Sequence, residues 1–171
     1  MIKIKVSNLA NGRYDYDFKG KVSEIDVFEP YVGNFNTKIV LNKFDNQIIL
    51  DATTDIGANL ICDRCNIEFN SIISSNYRMI YLFTQKVEHS ANEKMDVVYL
   101  HPETDKIDLT EDIRDYALLA LPMKKLCSED CKGLCSKCGK NLNEGTCNCK
   151  DEKINPRWEP LQKLKLKNKL N

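Results

Sequence analysis

Apolar and polar side chains alternate with a period of two along most of the first hundred residues. Ile2, Ile4 and Val6 alternate with Lys3 and Lys5. Tyr14, Tyr16 and Phe18 alternate with Asp15 and Asp17. The stretches YVGNFNTKIVL (31–41), NQIILDATT (46–54), IGANLI (56–61), NSIISSNYRMIYLF (70–83) and MDVVYL (95–100) follow, separated by turn-forming residues. Such alternation, rich in aromatic and β-branched residues, predicts half-buried strands. In 70–83, Tyr77, Met79, Tyr81 and Phe83 share one face. The polar run QKVEHSANEK (85–94) predicts an exposed loop.

The period changes once. In DLTEDIRDYALLALP (108–122), Leu109, Ile113, Tyr116, Ala117 and Ala120 recur at helical spacing. Asp108 can cap this helix, with Glu111 three residues on, and Pro122 stops it. The pattern predicts an amphipathic helix over about 108–121, lying on the sheet. Residues 126–150 hold too few large apolar side chains for a core, so something other than hydrophobic burial must order them. In the tail NPRWEPLQKLKLKNKL, Pro156 or Pro160 could open a short helix, with Leu161 and Leu164 spaced to dock it. The fold class is therefore α+β: a strand-rich, mostly antiparallel unit (1–122) with one main helix, then a Cys-rich lobe and basic tail (123–171).

Composition narrows the function. No run of eighteen apolar residues exists, and the N-terminal stretch has no apolar signal region, so a cytoplasmic protein with no membrane partner is expected. Residues 1–119 carry 13 Lys and Arg against 19 Asp and Glu, a net of −6; residues 120–171 carry 12 against 6, a net of +6. The C-terminal part thus suits an anionic partner. His89 and His101 sit in polar settings and read as solvated. No Ser/His/Asp constellation, phosphate-binding loop or dinucleotide turn occurs, so no catalytic residue and no small-molecule substrate is expected.

The cysteines carry the chemistry. Six stand in LCSEDCKGLCSKCGKNLNEGTCNCK (126–150) and two in ICDRC (61–65). Disulfides would suit an exported chain, which this does not resemble. A redox C-x-x-C needs its first cysteine at a helix N-terminus. Strand-like NIEFNSII follows Cys65 and loop-like GKNLNEGTC follows Cys138, so neither motif fits. Zinc takes four soft ligands, often delivered as two short pairs. CSKCG and CDRCN are both knuckle-type turns. Gly139 permits a positive φ that lets backbone N–H groups point at sulfur, and Asn66 in the matching position tolerates the same conformation. We expect two zinc ions: one held by Cys135, Cys138, Cys147 and Cys149, the other by Cys62, Cys65, Cys127 and Cys131. Two four-thiolate centres, at −2 each, would reduce the C-terminal +6 to about +2. Lys124, Lys125, Lys132, Lys137, Lys140 and Arg157 are the candidate phosphate contacts. Trp158 either anchors the tail or stacks on a base or protein partner.

LCSEDCKGLCSKCGKNLNEGTCNC, preceded by a helix ending LALP and followed by INPRWEPLQKL, resembles the YceD family; CDRCNIEF after a strand-rich half resembles that family's internal cysteine pair. The resemblance runs from about residue 30 onward. It implies a cytoplasmic, non-enzymatic factor for accumulation or processing of large-subunit (23S) rRNA in ribosome biogenesis. Implied partners are that rRNA, a pre-ribosomal particle or a ribosomal protein. A protein–protein adaptor without RNA contact and, further off, a thiol oxidoreductase are the other readings.

Overall fold

A computed structural model describes residues 2–85 and 96–149. Seven strands and one α-helix follow in the order β1 (Lys3–Lys5), β2 (Gly12–Lys21), a 3-10 turn (Val22–Ile25), β3 (Tyr31–Phe44), β4 (Gln47–Ile61), β5 (Glu68–Phe83), β6 (Val97–Leu100), β7 (Lys106–Asp108) and α1 (Thr110–Leu119). Five strands form one sheet in the order β2-β3-β4-β5-β6, and β1 pairs with β7 in a second, two-stranded sheet. Pairing is antiparallel except between β5 and β6, which run parallel with Ile80 opposite Val97.

The alternation does what it predicts. Along β4, Ile48, Leu50, Ala52, Thr54, Ile56, Ala58 and Leu60 are buried, while their neighbours face outward. Tyr77, Met79 and Tyr81 of β5 join them, with Phe83 packed at the margin. Thr37 and Thr54 face each other across β3 and β4 in this core and share a 2.9 Å hydroxyl–hydroxyl bond, which satisfies both buried groups. The helix closes the core: Leu109, Ile113 and Ala117 are buried, Tyr116 stacks on Tyr77 with ring centroids 4.4 Å apart, and the Tyr31 hydroxyl donates to the Ala117 carbonyl.

The structure departs from the sequence pattern in three places. The stretches 46–54 and 56–61 are one strand, because Asp55 lies on the outer face, where the Ser74 hydroxyl donates to its carboxylate at 2.5 Å. A polar residue there does not interrupt a one-sided strand. Gly57 in the same strand faces an irregularity in β3 between Tyr31 and Phe35, where an added Cβ would come within 3.1 Å of the Val32 carbonyl. The third departure is at the helix start. Asp108 ends β7, which the sequence reading lacks, and the helix begins at Thr110. The Asp108 carboxylate still accepts from the Thr110 N–H (3.1 Å) and hydroxyl (2.6 Å). Of the predicted loop 85–94 only Gln85 is described, and Met95, His89, Arg157, Trp158 and the remaining tail lie outside the described residues.

Candidate metal centres

The long β4–β5 hairpin ends in the first knuckle. Cys62 follows β4 directly, its N–H donates to the Ile67 carbonyl and its own carbonyl accepts from the Asn66 N–H, both at 2.9 Å. Asn66 closes this turn at φ 57°. The second knuckle repeats the pattern residue for residue: the Cys135 N–H donates to the Lys140 carbonyl and the Gly139 N–H to the Cys135 carbonyl, again both at 2.9 Å, with Gly139 at φ 72°. Both positions sit in the left-handed region, as their residue types predict.

The eight thiols fall into two groups of four, with ligand atoms within 4.8 Å of one another in each: Cys62, Cys65, Cys127 and Cys131, then Cys135, Cys138, Cys147 and Cys149. This grouping matches the partition drawn from the sequence. Sulfur–sulfur distances are 3.8 Å for Cys62–Cys131, 3.5 Å for Cys65–Cys127 and 3.4 Å for Cys135–Cys147. A disulfide needs about 2.05 Å, and all eight cysteines are free. A tetrahedron with 2.3 Å metal–sulfur bonds has edges of about 3.8 Å, so the spacing fits a thiolate-bound ion.

The two groups differ in their surroundings. Cys62, Cys65 and Cys131 are buried, whereas Cys138 and Cys149 are exposed. Backbone pairing ties residues 125–134 to the hairpin tip: the Asp63 N–H donates to the Lys125 carbonyl (2.8 Å), and the Lys125 N–H returns a bond to the Asp63 carboxylate (2.6 Å). The Arg64 guanidinium donates to the Cys131 carbonyl at 2.7 Å, and the Arg64 carbonyl accepts from the Leu134 N–H at 3.1 Å. Gly133 passes so close that an added Cβ would lie 2.9 Å from that carbonyl. One residue couples the two groups. Asn143 belongs to the loop between Cys138 and Cys147, yet its amide donates to the Cys131 sulfur at 3.3 Å and its carbonyl accepts from the Lys132 N–H at 2.8 Å. Arg64 and Asn143 escaped the sequence reading: NLNEG reads as a turn, and nothing in its spacing points across to Cys131.

The thiols divide their protons unevenly. N–H groups of Cys138 and Lys137 aim at the Cys135 sulfur and pull that thiol down to about 6. At Cys62, burial opposes ionisation, but the N–H groups of Cys127, Cys65 and Arg64 outweigh it and bring the thiol to about 6. The Asn143 amide lowers Cys131. In compensation Cys127 rises to about 12, from burial and then the neighbouring Cys65 sulfur. Cys149 rises to about 12 through Cys138. Four thiols this close cannot all ionise against their mutual repulsion; a cation among them removes that obstacle and is the group the donor set suits.

Lys125 lines a cavity of about 370 Å³ with Glu29 and Glu68, and the Lys140 ammonium donates to the Thr146 carbonyl of its own loop at 2.9 Å. Residues 120–149 carry five Lys against three acids, a net of +2, whereas 150–171 carry seven Lys and Arg against three, a net of +4. Most of the C-terminal positive charge therefore belongs to residues beyond those described.

A family model described as large ribosomal RNA subunit accumulation protein YceD matches residues 50–165. The chain is 37% identical over 70 residues to the chloroplastic large ribosomal RNA subunit accumulation protein YCED homolog 1 of Arabidopsis thaliana, covering 41% of this chain and 22% of that protein. It is 42% identical over 55 residues to the protein of the same name from Zea mays, covering 31% and 19%. An uncharacterized protein of Mycobacterium tuberculosis is 29% identical over 103 residues, covering 60% and 48%. The chain thus matches between about a fifth and a half of these relatives' lengths. No solved structure matches it. The family match takes in all eight cysteines, Asn66, Gly139 and Asn143, and on that extent the chain belongs to the YceD family.

Proposed function

We propose that this protein is a non-enzymatic, zinc-stabilised factor that supports accumulation of large-subunit (23S) rRNA during ribosome biogenesis in the cytoplasm. The observation that carries the proposal is the family match over residues 50–165, which spans both groups of thiols. The relatives' names state a role in large ribosomal RNA subunit accumulation. In this reading a strand-rich unit (1–122) presents a lobe (123–171) that two zinc ions hold in shape. One ion joins the β4–β5 hairpin to the segment after the helix, and the other orders the loop from Cys135 to Cys149. The lobe engages rRNA or an assembly intermediate.

Charge favours the tail as the place of RNA contact. With Cys62 and Cys65 counted in, two four-thiolate centres at −2 each turn the +2 of residues 120–149 into about −2. RNA contact then rests on the tail, with Arg157 and Trp158, more than on Lys124, Lys125, Lys132, Lys137 or Lys140. The same charge balance favours a second reading, a protein–protein adaptor: Leu118 and Leu119 at the end of α1 and Met123 after it are exposed.

The test is to delete the gene from its host and measure the ratio of 23S to 16S rRNA, then follow the tagged protein on sucrose gradients. The proposal expects the ratio to fall and the protein to migrate with large-subunit precursors. Association lost on RNase treatment and at high salt supports RNA contact; association that survives both supports the adaptor. An unchanged ratio would overturn the role in rRNA accumulation.

A further inference from the structure

The strand β2 is ten residues long and stands at the edge of the five-stranded sheet, with β3 on one side and no described strand on the other. Long free edges invite pairing with another chain, and proteins commonly blunt them with charged side chains, lysine above all. This edge carries charges of both signs in a definite order. In YDYDFKGK (14–21) the even positions Tyr14, Tyr16 and Phe18 pack against the core, while Asp15, Asp17, Lys19 and Lys21 are exposed on the outer face. From Asp15 onward the charges run minus, minus, plus, plus; Arg13, exposed just before them, is ion-paired with Asp15 at 3.1 Å. None of Asp17, Lys19 and Lys21 forms an ion pair among the described residues.

That order is complementary to itself when the strand is reversed. We propose that the free edge of β2 binds the same edge of a second copy of this chain, antiparallel, about a two-fold axis at Phe18. In this register Asp15 faces Lys21 and Asp17 faces Lys19, each pair occurring twice, and opposite charges directly across strands stabilise pairing. On the core-side face Phe18 meets Phe18 and Tyr16 meets Gly20, which offers no side chain to obstruct the ring. Centring on Tyr16 sets Asp15 against Asp17, and centring on Lys19 leaves it facing itself. An in-register parallel arrangement places every charge opposite its own kind. The Phe18-centred register is the longest in which all facing charges differ in sign. It ends where the strand ends, at Lys21, whose N–H is taken by the Glu24 carboxylate at 3.1 Å. The two five-stranded sheets then form one continuous sheet with both helices on the same side. Residues 12–21 lie outside the family match, so this inference and the functional proposal fail separately.

Sedimentation equilibrium on the full metal-loaded chain at low salt tests it. Wild type is expected to approach twice the 19.7 kDa chain mass as concentration rises. Asp17→Lys alone and Lys19→Asp alone should each weaken association at least tenfold. An equimolar mixture of the two variants should recover it, because each reversed charge then faces its opposite, and so should the double variant D17K/K19D. Recovery in the mixture also shows that each single variant is folded. A wild type that keeps the single-chain mass at every concentration overturns the proposal. So does a dimer indifferent to both single reversals, or one that neither combination restores.

Discussion

Asn66 and Gly139 hold equivalent places in the two knuckles, yet they cost the chain differently. A residue with a Cβ in the left-handed region is disfavoured by about 1–2 kcal/mol, and asparagine by less than most. Asn66→Gly should therefore leave stability unchanged or slightly raised, whereas Asn66→Ala should lose about 1 kcal/mol in chemical denaturation. Gly139→Ala should cost a similar amount, since nothing lies within 4 Å of its added Cβ. Gly133→Ala should cost more, because the strain at φ 76° is joined by the 2.9 Å approach to the Arg64 carbonyl. The Asn143 amide acts on sulfur rather than on backbone shape. Losing a partner that orients a metal ligand weakens binding by about 10–100-fold. Asn143→Leu should therefore release metal from the first centre, as read by competition with a chelator, while binding at the second stays near wild type.

At the scale of elements, the Thr37–Thr54 pair tests the account of the sheet. Replacing one threonine by valine strands a buried hydroxyl, at about 1–3 kcal/mol, whereas replacing both removes the need for a partner and should be nearly neutral. A double-mutant cycle measured by denaturation shows this as a strong non-additivity. The elements were legible to the extent that burial follows periodicity. The strict alternation of β4 and β5 and the helical spacing of Ile113, Tyr116 and Ala117 mark their buried faces in the sequence itself. β7 was not legible, because three residues, Lys106–Asp108, show too little alternation to register; only their pairing with β1 makes them a strand. Asp108 misled for a related reason: a carboxylate two residues before a helix can cap it from the end of a strand. At the site, the knuckles and the local group Cys135, Cys138, Cys147 and Cys149 were readable from spacing and from residue types that tolerate positive φ, whereas the group of Cys62, Cys65, Cys127 and Cys131 followed partly by elimination. Arg64 and Asn143 were not readable, since their contacts to Cys131 span 67 and 12 residues that the fold alone brings together.

For the whole molecule, the two centres should differ in consequence. The first bridges Cys62 and Cys65 at the tip of the β4–β5 hairpin to Cys127 and Cys131, so Cys62→Ser should lower the melting temperature of the entire protein. The second closes only its own loop, so Cys149→Ser should leave hydrogen-exchange protection of β4 and β5 intact while exposing residues 135–149. Metal binding of this kind also couples order to pH, because thiolates must lose their protons to bind; the lobe should loosen in acid as metal leaves. Everything in the functional account passes through the claim that metal organises this lobe. The most direct measurement is elemental analysis of the purified chain, combined with a thiol count before and after chelation. The account expects two zinc ions per chain and eight thiols that react with a thiol reagent only once the metal is removed. A chain without bound metal, or with its cysteines joined as disulfides, would contradict it.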